Sequence, residues 1–135
     1  MNVFVDTSGL FAVLNAGDAN HRAADAQWQA MVSARHTLAC SNYVLLETFA
    51  LVQNRLGIAA VRQLADDLLP VLTIEWVTQE IHDAGVAALF ASARRQLSLV
   101  DCVSFKVMRR RGIRHAFAFD LHFDEKGFEA PPPAE

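Results

Sequence analysis

The chain has 135 residues and a net charge of −3, which is enough sequence for one domain with a substantial core. Hydrophobic residues make up 53% of it, and the mean hydropathy is +0.19. No apolar run approaches the roughly 18 residues of a membrane span, and the N-terminus, interrupted by Asp6, lacks the basic region of a signal peptide. We therefore expect a single cytoplasmic domain over residues 1–129, a frayed, proline-rich tail over 130–135, and no membrane association.

The sequence predicts short strands that alternate with helices. In chain order, the predicted elements are a strand over 2–5, a helix starting within 9–14, a helix over 21–35, a strand over 37–40, helices over 42–56 and 58–69, a strand within 71–77, helices over 79–95 and 99–111, a strand over 116–119, and a short edge element starting at 128. Such alternation implies parallel pairing with right-handed crossovers. The strands are apolar throughout, which is typical of a sheet covered by helices on both faces. The predicted fold class is therefore α/β.

Acidic residues stand beside apolar runs at points where strands and helices are predicted to meet. These residues are Asp6, Glu47, Asp101 and Asp120. In parallel sheets, ligand groups collect beyond the carboxyl ends of the strands, and Asp6 and Asp120 follow predicted strands directly. If the fold gathers the acids, raised pKa values or a bound cation must relieve their repulsion. Ligands that are all oxygen favour Mg²⁺ or Mn²⁺.

Most of these acids also have an ordinary structural explanation. Asp6 can cap the following helix, Asp120 can serve in a turn, and Asp101 fits the Ser-x-x-acid capping pattern that begins at Ser98. Glu47 is the hardest to explain, because none of its neighbours one helical turn away is basic. Those neighbours are Tyr43, Val44, Ala50 and Leu51. Asp124, one turn beyond Asp120, is expected to be solvated at the edge of any site.

Charge is distributed unevenly along the chain. Residues 94–115 carry seven basic side chains against Asp101 alone, a balance of +6, so the remainder of a chain with net charge −3 carries −9. A basic segment on an acidic body can be a phosphate-binding surface. Arginines at the end of a helix are equally explained by the helix dipole, and both interpretations remain open for this segment.

Four motifs, taken in order, resemble those of the PIN-domain family. The similarity is greatest to the VapC-like ribonuclease toxins of bacterial and archaeal toxin–antitoxin pairs. The motifs are Val3-Phe4-Val5-Asp6-Thr7-Ser8-Gly9-Leu10, Ser41-Asn42-Tyr43-Val44-Leu45-Leu46-Glu47, Leu97-Ser98-Leu99-Val100-Asp101-Cys102-Val103-Ser104-Phe105, and Ala118-Phe119-Asp120-Leu121-His122-Phe123. The resemblance covers nearly the whole chain. One position departs from the family pattern, because Ala118 stands where a Thr or Ser is frequent.

The resemblance implies a three-layer α/β/α sandwich with a short, mainly parallel sheet. It also implies an Mg²⁺- or Mn²⁺-dependent endoribonuclease that hydrolyses RNA, forms a homodimer, and is blocked by a small antitoxin protein. The implied catalytic residues and metal ligands are Asp6, Glu47, Asp101 and Asp120. Thr7 or Ser8 can then position the attacking water or a phosphate oxygen, and arginines of residues 94–115 can hold the RNA backbone.

A phosphotransfer enzyme and a partner-binding domain are the two alternatives to this interpretation. A phosphotransfer enzyme with a nucleophilic aspartate needs Asp-x-Asp or a lysine at a late strand end. The chain has Asp6-Thr7-Ser8, and its only lysines, Lys106 and Lys126, lie in a predicted helix and near the tail. A PIN-like partner-binding domain that is catalytically weak or inactive is the second alternative, and Ala118 keeps it open.

Overall fold

A computed structural model describes residues 1–132 as an alternation of strands and helices. The elements are β1 (Asn2–Val5), α1 (Thr7–Leu14), α2 (His21–Ser33), β2 (Thr37–Ser41), α3 (Asn42–Leu56), α4 (Ile58–Gln63), β3 (Leu72–Glu75), α5 (Gln79–Ser92), α6 (Leu99–Arg111), β4 (His115–Phe117) and α7 (Leu121–Glu125). A π-helical turn, Leu64–Leu68, and a 3-10 turn, Leu69–Val71, join α4 to β3. Of the predicted tail, residues 133–135 lie outside the described residues.

The strands form one parallel sheet in the order β3-β2-β1-β4. In this register, Val3 of β1 is opposite Leu38 of β2 and His115 of β4. The edge element predicted from residue 128 is limited to a single parallel bridge between His115 and Glu129. The predicted α/β class and the parallel sheet are confirmed.

The core is centred on β1, which has a neighbouring strand on each side. Its residues Val3, Phe4 and Val5 are all completely buried, at 0% exposure. Successive side chains of a strand point to opposite faces of the sheet, so both faces must be covered by helices. This arrangement confirms the predicted three-layer sandwich.

Glycines permit two close contacts that position the functional elements. A Cβ atom at Gly9 would lie 2.6 Å from the carbonyl oxygen of Phe117, so α1 begins directly against the end of β4. A Cβ atom at Gly85 would lie 2.6 Å from Cγ2 of Val103, where α5 crosses α6. The first of these contacts draws the end of β4 towards the residues that follow β1.

The fourth strand is shorter than predicted, ending at Phe117 rather than at residue 119. Its strand neighbour β1 ends at Val5, and the amide of Asp6 makes the next hydrogen bond, to the carbonyl of Phe117 at 3.1 Å. Beyond that point the amide of Phe119 donates to the hydroxyl of Ser8 instead, at 2.9 Å. A side chain therefore replaces the missing backbone partner.

Three predicted helices were also too long. The helices predicted over 21–35 and 79–95 end at Ser33 and Ser92, because Arg35 and Ala93 adopt left-handed conformations at φ 56° and 51°. The helix predicted over 58–69 leaves α-helical geometry after Gln63, whereas the strand predicted within 71–77 is present at 72–75. Among residues 1–132, none of the helices combines the length and apolar character needed to cross a membrane.

Candidate active site

Asp6 lies at the carboxyl end of the central strand and is only 3% exposed. It caps α1, and its Oδ2 accepts hydrogen bonds from the Ser8 amide at 3.1 Å and the Ser8 hydroxyl at 2.6 Å. The pKa of Asp6 is raised to about 6, chiefly by burial and further by the negative charges of Asp101 and Glu47, against the opposing hydrogen bonds from Ser8. Among residues 1–132, no basic side chain pairs with this buried carboxylate.

Ser8 connects the carboxyl ends of β1 and β4. Its hydroxyl donates to Asp6 and accepts from the amide of Phe119, which precedes Asp120 directly. This contact bears on Ala118, which is half-buried one residue before Phe119. The backbone leading into Asp120 is thus held by Ser8, whatever side chain stands at position 118.

Glu47 reaches the same region from α3. That helix starts directly at the end of β2, where the Ser41 hydroxyl accepts a hydrogen bond from the amide of Val44 at 3.2 Å. Glu47 follows one turn later, is half-buried, and contributes to the raised pKa of Asp6. The charge of Glu47 therefore acts on Asp6, and its role as a metal ligand remains a prediction.

Asp101 is 7% exposed in the first turn of α6. The predicted capping box is present: the Asp101 amide donates to the Ser98 hydroxyl at 3.0 Å, and the Ser98 amide donates to Oδ2 of Asp101 at 3.2 Å. Burial raises the pKa of Asp101, and the charge of Asp120 adds to this effect. Capping occupies one oxygen of the carboxylate and leaves the other for a ligand.

Asp120 and His122 complete the group from the start of α7. Oδ1 of Asp120 accepts a hydrogen bond from the His122 amide at 2.9 Å and lies 3.9 Å from Nε2 of the same residue. Asp101, Asp120 and His122 each offer one ligand atom, and these atoms all lie within 4.8 Å of one another. Sequence reasoning missed His122, although the Asp-x-His spacing at the start of a short helix was a usable signal.

The four predicted acids influence one another electrostatically. The pKa of Asp6 is raised by the charges of Asp101 and Glu47, and that of Asp101 by the charge of Asp120. Asp101, Asp120 and His122 form the compact part, with ligand atoms within 4.8 Å of one another, and Asp6 and Glu47 lie outside it. The carboxylate oxygens suit a hard divalent cation such as Mg²⁺ or Mn²⁺, whereas the imidazole of His122 is a ligand typical of transition metals.

Thr7 or Ser8 was expected to position the attacking water or a phosphate oxygen. The hydroxyl of Thr7 is instead buried between α1 and α3, where it accepts a hydrogen bond from the Thr48 hydroxyl at 3.0 Å and lies 3.4 Å from the carbonyl of Val44. Thr7 therefore fastens the two helices that carry Asp6 and Glu47. Asp124 is exposed, as expected.

Three of the six arginines of residues 94–115 pair with acids of the chain. Arg94 pairs with Glu125 at 2.7 Å, Arg110 with Glu80 at 3.4 Å, and Arg111 with Glu75. These pairs connect α6 and the loop before it to α5, α7 and β3. For these three arginines, the structural explanation is the better one.

Comparisons with known proteins identify the family of the chain. A family model described as the PIN domain matches residues 3–129. The 23S rRNA-specific endonuclease VapC20 of Mycobacterium tuberculosis, in strains CDC 1551 / Oshkosh and ATCC 25618 / H37Rv, is 41% identical over 127 residues, covering 93% of this chain and 95% of the relative. The crystal structure of M. tuberculosis VapC20, described as a sarcin–ricin loop cleaving toxin, matches with a TM-score of 0.84 at 39% identity, over 97% of this chain and 99% of that one. The chain therefore belongs to the PIN domain family of metal-dependent nucleases, and it is similar over nearly its whole length to the VapC20 toxin.

Proposed function

We propose that this protein is a Mg²⁺- or Mn²⁺-dependent endoribonuclease and the toxin of a toxin–antitoxin pair. The observation that carries the proposal is the connected group of acids at the carboxyl ends of β1 and β4, in a chain of the PIN domain family. Carboxylates buried this deeply, with pKa values raised by burial and by one another, are stabilised when a cation binds.

In this proposal, Asp6, Glu47, Asp101 and Asp120 hold one or two divalent cations, and His122 supports them. When bound, the cation lowers the pKa of the attacking water and neutralises charge that develops on the phosphate. Among the acids, Asp120 is better suited than Asp101 to accept the proton of that water. The Asp120 side chain is 32% exposed, whereas Asp101 is 7% exposed and engaged in its capping box.

Structured ribosomal RNA is the proposed substrate class. VapC20 is named for cleavage of 23S rRNA and of the sarcin–ricin loop, and it is 41% identical to this chain. We extend that class of substrate, and not a particular cleavage position, to this protein.

A homodimer and a small antitoxin are the proposed protein partners. Large apolar side chains are strongly exposed on α3, after β3 and on α5: Leu46 at 74%, Trp76 at 71% and Phe90 at 78%. Exposed apolar groups of this size favour burial against another protein surface. Light scattering after size-exclusion chromatography tests the dimer, and a monomer at micromolar concentration would refute it.

Cleavage by the Asp6→Asn variant is the central test. We expect this variant to fold, to lose Mg²⁺-dependent cleavage of ribosomal RNA as measured by sequencing of RNA ends, and to lose Mn²⁺ binding in calorimetry. Asp25→Asn, which removes an exposed acid on α2, is the matched control and should leave cleavage unchanged. Full activity of Asp6→Asn would contradict the assignment. A wild-type protein that neither cleaves RNA nor binds Mn²⁺ would favour the partner-binding alternative.

A further inference from the structure

The only two lysines of the chain border the same cavity. Lys106 lies on α6, Lys126 follows α7, and Arg109 is the third basic side chain of a cavity of about 130 Å³ between these helices. Cys102 and Phe105 are among the residues that line it. Three basic side chains around one small cavity leave an uncompensated positive charge there.

A wider groove continues from this cavity. It has a volume of about 520 Å³, shares Arg109 with the cavity, and adds Arg114. Arg109 is held in place, because its guanidinium lies 4.9 Å from the ring centroid of Phe128 and donates to the carbonyl of Lys126 at 2.9 Å. Among the described residues, neither lining includes an Asp or Glu, although the whole chain has a net charge of −3.

This basic track, defined as Lys106, Arg109, Arg114 and Lys126, begins beside the candidate active site. Cys102, which lines its cavity, directly follows Asp101. Lys106 is five residues beyond Asp101 on α6, roughly 7.5 Å along the helix axis at 1.5 Å per residue.

A separate cavity beside Asp120 has the reverse charge. This cavity, of about 160 Å³, is lined by Asp120, Asp124 and Glu129, and by no basic side chain among the described residues. A polyanion near the site is therefore repelled by this cavity and attracted by the basic track.

We propose that the basic track binds backbone phosphates of the RNA substrate next to the phosphate that is cleaved. This inference rests on the proposed function and adds the direction in which the RNA strand leaves the active site. Phosphate contacts by Lys and Arg position a nucleic acid without reading its sequence, and they make binding strongly dependent on salt. The track therefore supplies affinity and orientation, and the acids supply the chemistry.

Lysine footprinting tests the contact directly, because the chain offers only two lysine side chains. The Asp6→Asn variant, bound to ribosomal RNA that it does not cleave, is treated with an amine-acylating reagent and analysed by mass spectrometry. We expect RNA to protect both Lys106 and Lys126 at least several-fold, relative to the amine of Met1 as internal reference. Equal labelling of both lysines with and without bound RNA would overturn the proposal.

Paired substitutions test the energetic contribution. In Lys106→Ala/Lys126→Ala, we expect KM for RNA to rise about tenfold at low salt with kcat nearly unchanged. The slope of log affinity against log salt should fall by about 1.4, at roughly 0.7 for each lost contact to a single strand. Lys106→Arg/Lys126→Arg keeps the charges and should retain most of the affinity. Arg22→Ala/Arg62→Ala, which removes two exposed charges from α2 and α4, is the matched control.

The outcomes separate this inference from the proposed function. A wild-type protein that does not cleave RNA refutes the proposed function itself. A wild-type protein that cleaves RNA, with the same KM and salt slope in the double alanine variant, refutes only the basic track. If the double alanine variant keeps its KM for RNA but loses binding of an acidic peptide, the track is a protein-binding surface and the proposal is wrong.

Discussion

Replacing Asp6 with asparagine should stabilise the metal-free protein at neutral pH. The pKa of Asp6 rises from 3.8 to about 6 on folding, chiefly because the side chain is buried. The folded state therefore favours the protonated acid, and stability is lost as the pH rises from 3.8, where Asp6 ionises in the unfolded chain, to about 6, where it ionises in the folded one. At about 1.36 kcal/mol per pKa unit, this cost is about 3 kcal/mol at pH 7.5 and about 1 kcal/mol at pH 4.5, and it vanishes below pH 3.8.

The asparagine removes this cost at every pH but accepts weaker hydrogen bonds from Ser8, a loss of about 1 kcal/mol. We therefore expect the free energy of unfolding of Asp6→Asn to exceed that of the wild type by about 2 kcal/mol at pH 7.5 and to be nearly equal to it at pH 4.5. Urea unfolding in the presence of a chelator at both pH values measures the difference, with Asp25→Asn as control.

Cation binding should reverse the order of stability. Mn²⁺ at about one hundred times its dissociation constant should stabilise the wild type by about 2.7 kcal/mol and leave Asp6→Asn unchanged. The reasoning is refuted if the stability difference between the two proteins does not change with pH, or if Asp6→Asn is the less stable protein at both pH values.

Three further substitutions test individual contacts. Ser8→Ala removes the hydrogen-bonded bridge between Asp6 and the amide of Phe119. It should lower the free energy of unfolding by about 1–2 kcal/mol and weaken Mn²⁺ binding. An unchanged Mn²⁺ affinity in calorimetry would count against the bridge. His122→Ala should weaken Mn²⁺ affinity by about 10- to 100-fold while secondary structure by circular dichroism stays intact, and wild-type affinity would exclude a role in the site. Gly85→Ala places a methyl group against Val103 and should cost about 1–3 kcal/mol in urea unfolding; a neutral effect would mean that α5 and α6 separate easily.

The sequence alone determined the order of the elements and the parallel sheet. Apolar runs, capping residues and breakers are local signals, and they predicted the capping box of Ser98 with Asp101. The boundaries that failed depended on distant partners. The fourth strand stops at Phe117 because β1 offers no further backbone partner, and nothing near residue 117 records where β1 ends.

The sequence also singled out four acids, but it did not determine how they are connected. Asp6 and Asp101 are far apart in the chain, and only the folded structure brings the charge of Asp101 close enough to raise the pKa of Asp6. The same holds for His122, which becomes a candidate ligand only through its distance to Asp101 and Asp120.

Side-chain direction was the other property that only the tertiary structure decided. Thr7 and Ser8 are adjacent hydroxyls with similar prospects in sequence, yet Thr7 turns to α3 and Ser8 to Asp6 and Phe119. Likewise, the basic segment contains arginines that pair with acids of other elements and lysines that face an open cavity. Composition records the charge of such a segment, but its partners lie elsewhere in the chain, and folding alone determines which charges remain available to a ligand.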